Sequence, residues 1–266
     1  NVPGSPVDNW KYKDVLQDAV DYLAWGQTDW GYGIGGWDYE EMDNGGDRSD
    51  QSITGWAAFG LGFAESPAYG FMCTIPAFVK TEMNIWIDYI QNDVDGDTND
   101  GGAGYTDPGS WVNILKTGHL LYNMKFVGDT AATPRVQDAV AYIVRHWNDA
   151  NVDPGWRGAP GEVAGYHVMY DVMKGLTALD IHVIDGIDWQ SEFEDVLVAQ
   201  QLDDGSWPVT YWDDGGDNIL STEWALLTLQ KVAPPIVVRG VQVVIEPSPP
   251  AYLEDENGGT VEFTIT

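Results

Sequence analysis

Cysteine is nearly missing from this chain: Cys73 stands alone among 266 residues. No internal disulfide can form, and without a Cys-x-x-Cys pair neither a cysteine zinc site nor dithiol redox chemistry is available. Basic residues are scarce as well, 12 Lys and Arg against 42 Asp and Glu, for a net charge of −30. A field of that sign repels phosphate backbones and anionic lipid surfaces, so neither nucleic acid nor a membrane surface is an expected partner. No apolar run reaches the ~20 residues of a membrane-spanning helix. A G-x-S-x-G nucleophile elbow and a phosphate-cradling glycine loop with its lysine are also missing. The first residue is Asn1 rather than Met, from which we expect an exported protein, extracellular or on the cell surface, with its signal peptide removed.

What is present is hydrophobic content of 44%, enough for a substantial core, and repetition. Leu16-Gln-Asp-Ala-Val-Asp-Tyr-Leu23 returns as Val136-Gln-Asp-Ala-Val-Ala-Tyr-Ile143. Ser52-Ile-Thr-Gly-Trp-Ala-Ala-Phe-Gly-Leu61 returns as Leu220-Ser-Thr-Glu-Trp-Ala-Leu-Leu-Thr-Leu229, each after a run of Asp and Gly. Echoes of this kind are the mark of a repeat architecture. Four glycine loops carrying an aromatic residue separate the repeats, at Trp30-Gly-Tyr-Gly33, Gly101-Gly-Ala-Gly-Tyr105, Pro154-Gly-Trp156 and Asp204-Gly-Ser-Trp207. Four loops imply four helical hairpins.

The two helices of a hairpin differ in pattern. The segment from Val136 to Trp147 sets Val136, Val140, Ile143, Val144 and Trp147 on one stripe, the spacing of a half-exposed helix. Gln51 to Ala64 carries no charge at all, and Ile219 to Leu229 carries one, Glu223, as helices buried nearly all round would. We therefore expect outer helices near 7–25, 75–91, 134–148 and 187–201, and inner ones near 49–64, 108–127, 161–179 and 218–232. Pro108 and Pro134 suit first turns, and Asp107, Thr133 and Asp217 suit N-caps. Beyond Pro234-Pro235, the β-branched run 236–245 and the alternating 260–266 predict two strands. The expected organisation is an all-α domain over 1–233 and a C-terminal β segment over 234–266. Two strands do not fold alone, so this segment is a hairpin, the start of a sandwich, or a strand for self-assembly or pairing with another surface protein.

Two motifs carry a family resemblance. Gln200-Gln-Leu-Asp-Asp-Gly-Ser-Trp207 resembles the Q-x-x-D-G-x-W repeat of squalene and hopene cyclases, and Gly36-Trp-Asp-Tyr39 leads similarly into Ser49-Asp-Gln-Ser-Ile-Thr-Gly-Trp56. The chain thus looks like a secreted, uncharacterised branch of the terpene cyclase and prenyltransferase superfamily, and the resemblance implies an α/α toroid. The family's chemistry does not carry over. The D-x-D-D acid of the cyclases has no counterpart, Cys73 lies outside the context of the prenyltransferase zinc ligand, and the thioester motif of complement-like toroids is missing.

Candidate sites are of three kinds. In Asp93-Val-Asp-Gly-Asp-Thr-Asn-Asp-Gly101 the side chains of Asp93, Asp95, Asp97, Asn99 and Asp100 can offer oxygen ligands to calcium, although Thr98 stands where an EF-type loop has glycine and Gly104 where it has glutamate. Asp43, Asp47, Asp50, Asp213, Asp214 and Asp217 form weaker acidic loops, since Asp also caps helices. Trp37, Tyr39, Trp111, Tyr166, Tyr170, Tyr211 and Trp212 are candidates to line a central hollow that suits sugars, isoprenoids or cations, while aromatics at helical spacing are more often core. His119, His167 and Asp171 lie on expected inner helices, and His167 and Asp171, four apart, share one face. They are weak acid–base candidates against the plainer reading of a hydrogen-bonded pair. No organic cofactor is expected. The first functional expectation is a non-catalytic binding or assembly module stabilised by calcium. The alternatives are a glycosidase or lyase using central carboxylates and an isoprenoid- or lipid-binding protein.

Overall fold

The computed structural model describes residues 4–39, 47–149, 155–210 and 217–231. The chain divides into two units, Asn1–Pro235 and Ile236–Thr266. The expected β segment, like Tyr211 and Trp212, lies outside the described residues. Within them the fold is all-α, with eight α-helices: α1 (Tyr12–Trp25), α2 (Gln51–Glu65), α3 (Ala77–Ile90), α4 (Ile114–Val127), α5 (Pro134–Arg145), α6 (Tyr166–Ala178), α7 (Trp189–Gln200) and α8 (Ile219–Leu229). None of these is long and apolar enough to cross a membrane.

Burial alternates along the chain. Twelve of the fourteen residues of α4 are buried and eleven of the thirteen of α6, whereas α1 buries only Val20 and Ala24 and α5 only Val136, Ala139, Tyr142 and Ile143. The even-numbered helices form a row in which α4 packs most extensively on α6 and then on α2, while α6 packs on α8. Helices α1, α3 and α5 lie against this row. Wet helices thus flank dry ones, as the absence of charge in 51–64 predicts. Helix α8 departs from the rule by exposing Ile219, Leu220 and Leu226. It ends the described row, and its chief neighbour is α6.

The dry helices meet backbone to backbone. A methyl group added at Gly118 of α4 would lie 2.7 Å from the carbonyl carbon of Asp171 on α6, and one added at Gly175 of α6 would lie 2.6 Å from the carbonyl oxygen of Gly118. On the other side of α4, a methyl at Gly55 of α2 would fall 2.2 Å from the ring of His119. Glycine here permits an approach no side chain allows, which outweighs its ordinary cost inside a helix of about 1 kcal/mol.

The loop tryptophans tie their loops back to the preceding helix. Trp37, Trp156 and Trp207 are buried, and their indole N–H groups donate to the carbonyls of Leu23, Trp147 and Leu197 at 2.8, 2.7 and 2.8 Å. Each carbonyl belongs to the end of a wet helix or the residues just after it. A second bond also recurs: the backbone N–H groups of Trp37, Ala103 and Trp207 donate to the hydroxyls of Thr54, Thr117 and Thr222, on α2, α4 and α8.

Expectations about four helix starts need correction, the first being α1, which begins at Tyr12 rather than at 7. Helix α4 begins at Ile114, not Pro108, because Asp107 holds 108–110 in a turn: its side chain accepts from the Gly109 N–H at 3.0 Å and its carbonyl from Ser110 at 3.2 Å. The N-cap is therefore Asn113, whose side chain accepts from the Lys116 N–H, and not Asp107. At α8 the N-cap is Asn218, in left-handed backbone, with Asp217 one residue earlier. Helix α6 starts at Tyr166, later than 161. Pro134 and Thr133 stand at N1 and N-cap of α5, although Thr133 makes no side-chain cap bond.

Candidate functional site

The N-terminal turns of three dry helices open onto one trough. Ser52, Ile53 and Trp56 of α2, Leu115 and Lys116 of α4 with its N-cap Asn113, and His167 of α6 line it together with Tyr39, Tyr105 and Trp111, around a volume of about 280 Å³. A neighbouring hollow of about 340 Å³ shares Tyr39, Ile53 and Trp56 and continues past Trp37 and Tyr22. A larger one, about 550 Å³, lies between α5 and the residues Ile181 and Asp185, and shares no lining residue with the trough.

The trough walls are aromatic with polar edges. Trp111 is 43% exposed and Tyr39 69%. The Lys116 ammonium sits 4.0 Å above the Trp111 ring and 5.7 Å from the Tyr105 ring, and the Tyr105 and Trp111 rings meet edge to face. Burial, followed by the nearby Asp50 carboxylate, holds the Tyr105 hydroxyl above its ordinary pKa. Asp50 is itself the N-cap of α2, its Oδ1 accepting from the Ser52 and Ile53 N–H groups. Trp111 has φ of +47°, a left-handed conformation that is uncommon and costly for a bulky residue.

Beneath the trough lies a cluster of ionisable groups. His119 Nε2 is 3.0 Å from Asp171 Oδ1, with both side chains fully buried, and His167 Nε2 is 3.2 Å from Asp171 Oδ2. Among the described residues this is the one group of three or more His, Cys, Asp or Glu whose ligand atoms gather, all within 4.8 Å of one another. The separations are those of hydrogen bonds, yet neither ring N–H points closely enough at its oxygen to make one, and both carboxylate oxygens are left without a hydrogen-bond partner. Stacking fixes the rings instead: His167 lies on Trp224 and on Trp56, and His119 meets the edges of Trp56 and Phe59. Burial lowers the His167 pKa, with Asp171 opposing.

One turn beyond Asp171, the Lys174 amine is buried without a hydrogen-bond partner. It lies 4.3 Å from the Phe63 ring centre, 5.0 Å from that of Tyr170 and 5.6 Å from that of Phe59. Loss of hydration pushes its pKa down to about 7, against the pull of Asp171.

The residues singled out in the sequence fall in different places. His119, His167 and Asp171 come together. Of the aromatic set, Tyr39 and Trp111 line the trough, Trp37 borders the adjoining hollow, and Tyr170 stacks on Trp56. Tyr166 does not face the hollow: it is fully buried, and its hydroxyl donates to Gln200 Oε1. Trp56, Tyr105, Lys116 and Lys174 were not anticipated as site residues, although Trp56 stood in the repeat echo 52–61 and in the motif 49–56. In the acidic loop, Asp97 Oδ1 accepts from the Asn99 N–H, and the carbonyls of Thr98 and Asp100 accept from Arg145, with His146 also bound to Thr98. Asp93, Asp95, Asp97 and Asp100 are not part of the gathered group. Compared with protein families, curated proteins and solved structures, the chain matches none.

Proposed function

We propose that this protein is an exported, non-catalytic binding module that takes a glycan in its aromatic trough, on an arc of helical hairpins of the squalene cyclase-like toroid type. The alternation of wet and dry helices and the packing order α2, α4, α6, α8 support the toroid reading. The observation that carries the binding reading is Trp111, a half-exposed indole kept in left-handed backbone on the trough wall. Backbone strain of this kind persists where the surrounding structure holds a side chain in place, and it concentrates at ligand sites. A sugar ring presents an apolar face to an indole and hydroxyls to its rim. Here Trp111 and Tyr39 supply ring faces, while Ser52, Asn113 and Lys116 supply polar edges. An isoprenoid chain calls instead for an enclosed, wholly apolar cavity.

The test is titration of the protein with a panel of neutral and acidic oligosaccharides, followed by tryptophan fluorescence and calorimetry. One class is expected to bind, and Trp111→Ala and Tyr39→Ala are each expected to weaken it by about tenfold or more, the effect of removing a stacked ring at roughly 1.4 kcal/mol. Glycan turnover would refute the non-catalytic reading, and copurified lipid with no glycan binding would refute the choice of ligand.

A further inference from the structure

We propose that His119, His167 and Asp171 bind one divalent transition-metal ion, zinc by their ligand chemistry, between α4 and α6. The inference rests on these two helices alone and is independent of what fills the trough.

The first argument is geometric. A tetrahedral zinc ion with bonds of about 2.1 Å separates its donor atoms by about 3.4 Å. The two nitrogen–oxygen separations here, 3.0 Å to Oδ1 and 3.2 Å to Oδ2, lie just inside that spacing, and one donor atom from each of the three residues falls within 4.8 Å of the others. Both imidazoles present Nε2 to the same carboxylate, yet their N–H directions miss its oxygens. Donors that crowd together without bonding one another are arranged as ligands to a shared ion.

The second argument is desolvation. Asp171 is wholly buried and neither of its oxygens accepts a hydrogen bond, and burying a carboxylate without hydrogen bonds costs several kcal/mol. The Lys174 amine, one turn along α6, lies among the rings of Phe63 and Tyr170. A cation between the three side chains would supply the missing partner. Two imidazole nitrogens select a borderline-soft ion such as zinc over calcium or magnesium, which take oxygen. Three protein donors leave one position for a solvent or ligand oxygen, and His167, the one partly exposed member, borders the trough from which that oxygen can come.

The chain has four histidines, which provides an internal control. His146 is bound to Asp149 and to the Thr98 carbonyl, and His182 to Asp180. The full chain is stripped with a chelator and titrated with Co²⁺ and then Zn²⁺. The expected result is one Co²⁺ per chain with the intense visible bands of a low-coordinate site, displaced by Zn²⁺ and not by excess Ca²⁺. In ¹⁵N-edited imidazole spectra the resonances of His119 and His167 shift while those of His146 and His182 stay. His167→Gln weakens binding on the order of tenfold or more, and His182→Gln leaves it unchanged. The proposal is overturned by no Co²⁺ binding, by binding that Ca²⁺ displaces, by shifts at His146 or His182 in place of the buried pair, or by wild-type affinity in His167→Gln. The spectra of the unmodified chain decide the matter even if a variant fails to fold.

Discussion

The rings of His167 and Trp224 lie parallel, 4.4 Å between centroids and 7° apart, so the orientation of a buried-cluster imidazole on α6 depends on a side chain of α8. Trp224 is 8% exposed. Trp224→Ala is expected to lower unfolding free energy by about 3–4 kcal/mol, and Trp224→Phe, which keeps a ring against the imidazole, by less than half as much. Urea unfolding of both variants checks this. Equal losses would mean that the stack contributes area only.

Two glycines of the dry helices should respond oppositely to the same substitution. Gly118→Ala drives a methyl into the backbone of Asp171 and Val172 and is expected to cost about 3 kcal/mol or more. Gly60, on the exposed face of α2, has nothing within 4 Å of the added atom, so Gly60→Ala should stabilise by about 0.5–1 kcal/mol. Thermal unfolding of the pair tests whether close helix contact or helix propensity governs each position.

Lys174 gives a signed pH dependence. Its amine titrates near 7 in the fold against an ordinary value of 10.5, so between those limits the unfolded chain holds a proton that the folded chain has lost. Stability therefore rises with pH across that window, with a slope of at most about 1.4 kcal/mol per pH unit. The faces of Phe59, Phe63 and Tyr170 favour the charged form and narrow the window. Lys174→Met removes the titration while filling the same cage. It should flatten the slope and raise stability at pH 7 by roughly 1–3 kcal/mol, read from denaturant midpoints at pH 7, 8 and 9.

Trp111 allows strain to be separated from contact. Glycine adopts positive φ at no steric cost, so Trp111→Gly is expected to be more stable than Trp111→Ala by about 1 kcal/mol, although both lose the ring. A Gly variant no better than the Ala variant would show that position 111 bears no backbone strain.

Arg135 ties three acceptors together, donating through Nε to Asp129 at 2.6 Å, through Nη1 to Asp88 at 2.7 Å and through Nη2 to Asn84 at 2.7 Å. Lysine keeps the charge and loses the fork. Arg135→Lys is expected to cost about 1–2 kcal/mol, measured by urea unfolding at low and high salt, with part of the loss persisting in salt because the guanidinium is largely buried.

The helix pattern was readable because it follows from local composition. The uncharged stretch at 51–64 and the stripe at 136–147 report their surroundings residue by residue, and both lie in helices of the matching kind. The start of α4 was not read correctly because Pro108 is an equally good turn residue, and the deciding bonds come from Asp107 behind it. The pairing of His167 with Asp171 was visible as a helical spacing of four. The entry of His119 was not, since nothing local links position 119 to 171. A signal did exist in Thr117-Gly-His119, which repeats Thr54-Gly-Trp56: each threonine accepts the same loop N–H, and two positions on, His119 occupies the place that Trp56 holds on α2. Lys174 escaped notice because lysine on a helix ordinarily reads as solvent-facing.

The convergence of three helix starts on a single trough constrains how the chain can change. Duplicating or deleting one of these helices would here add or remove a wall of the trough itself. Variation that preserves the trough must therefore come one side chain at a time.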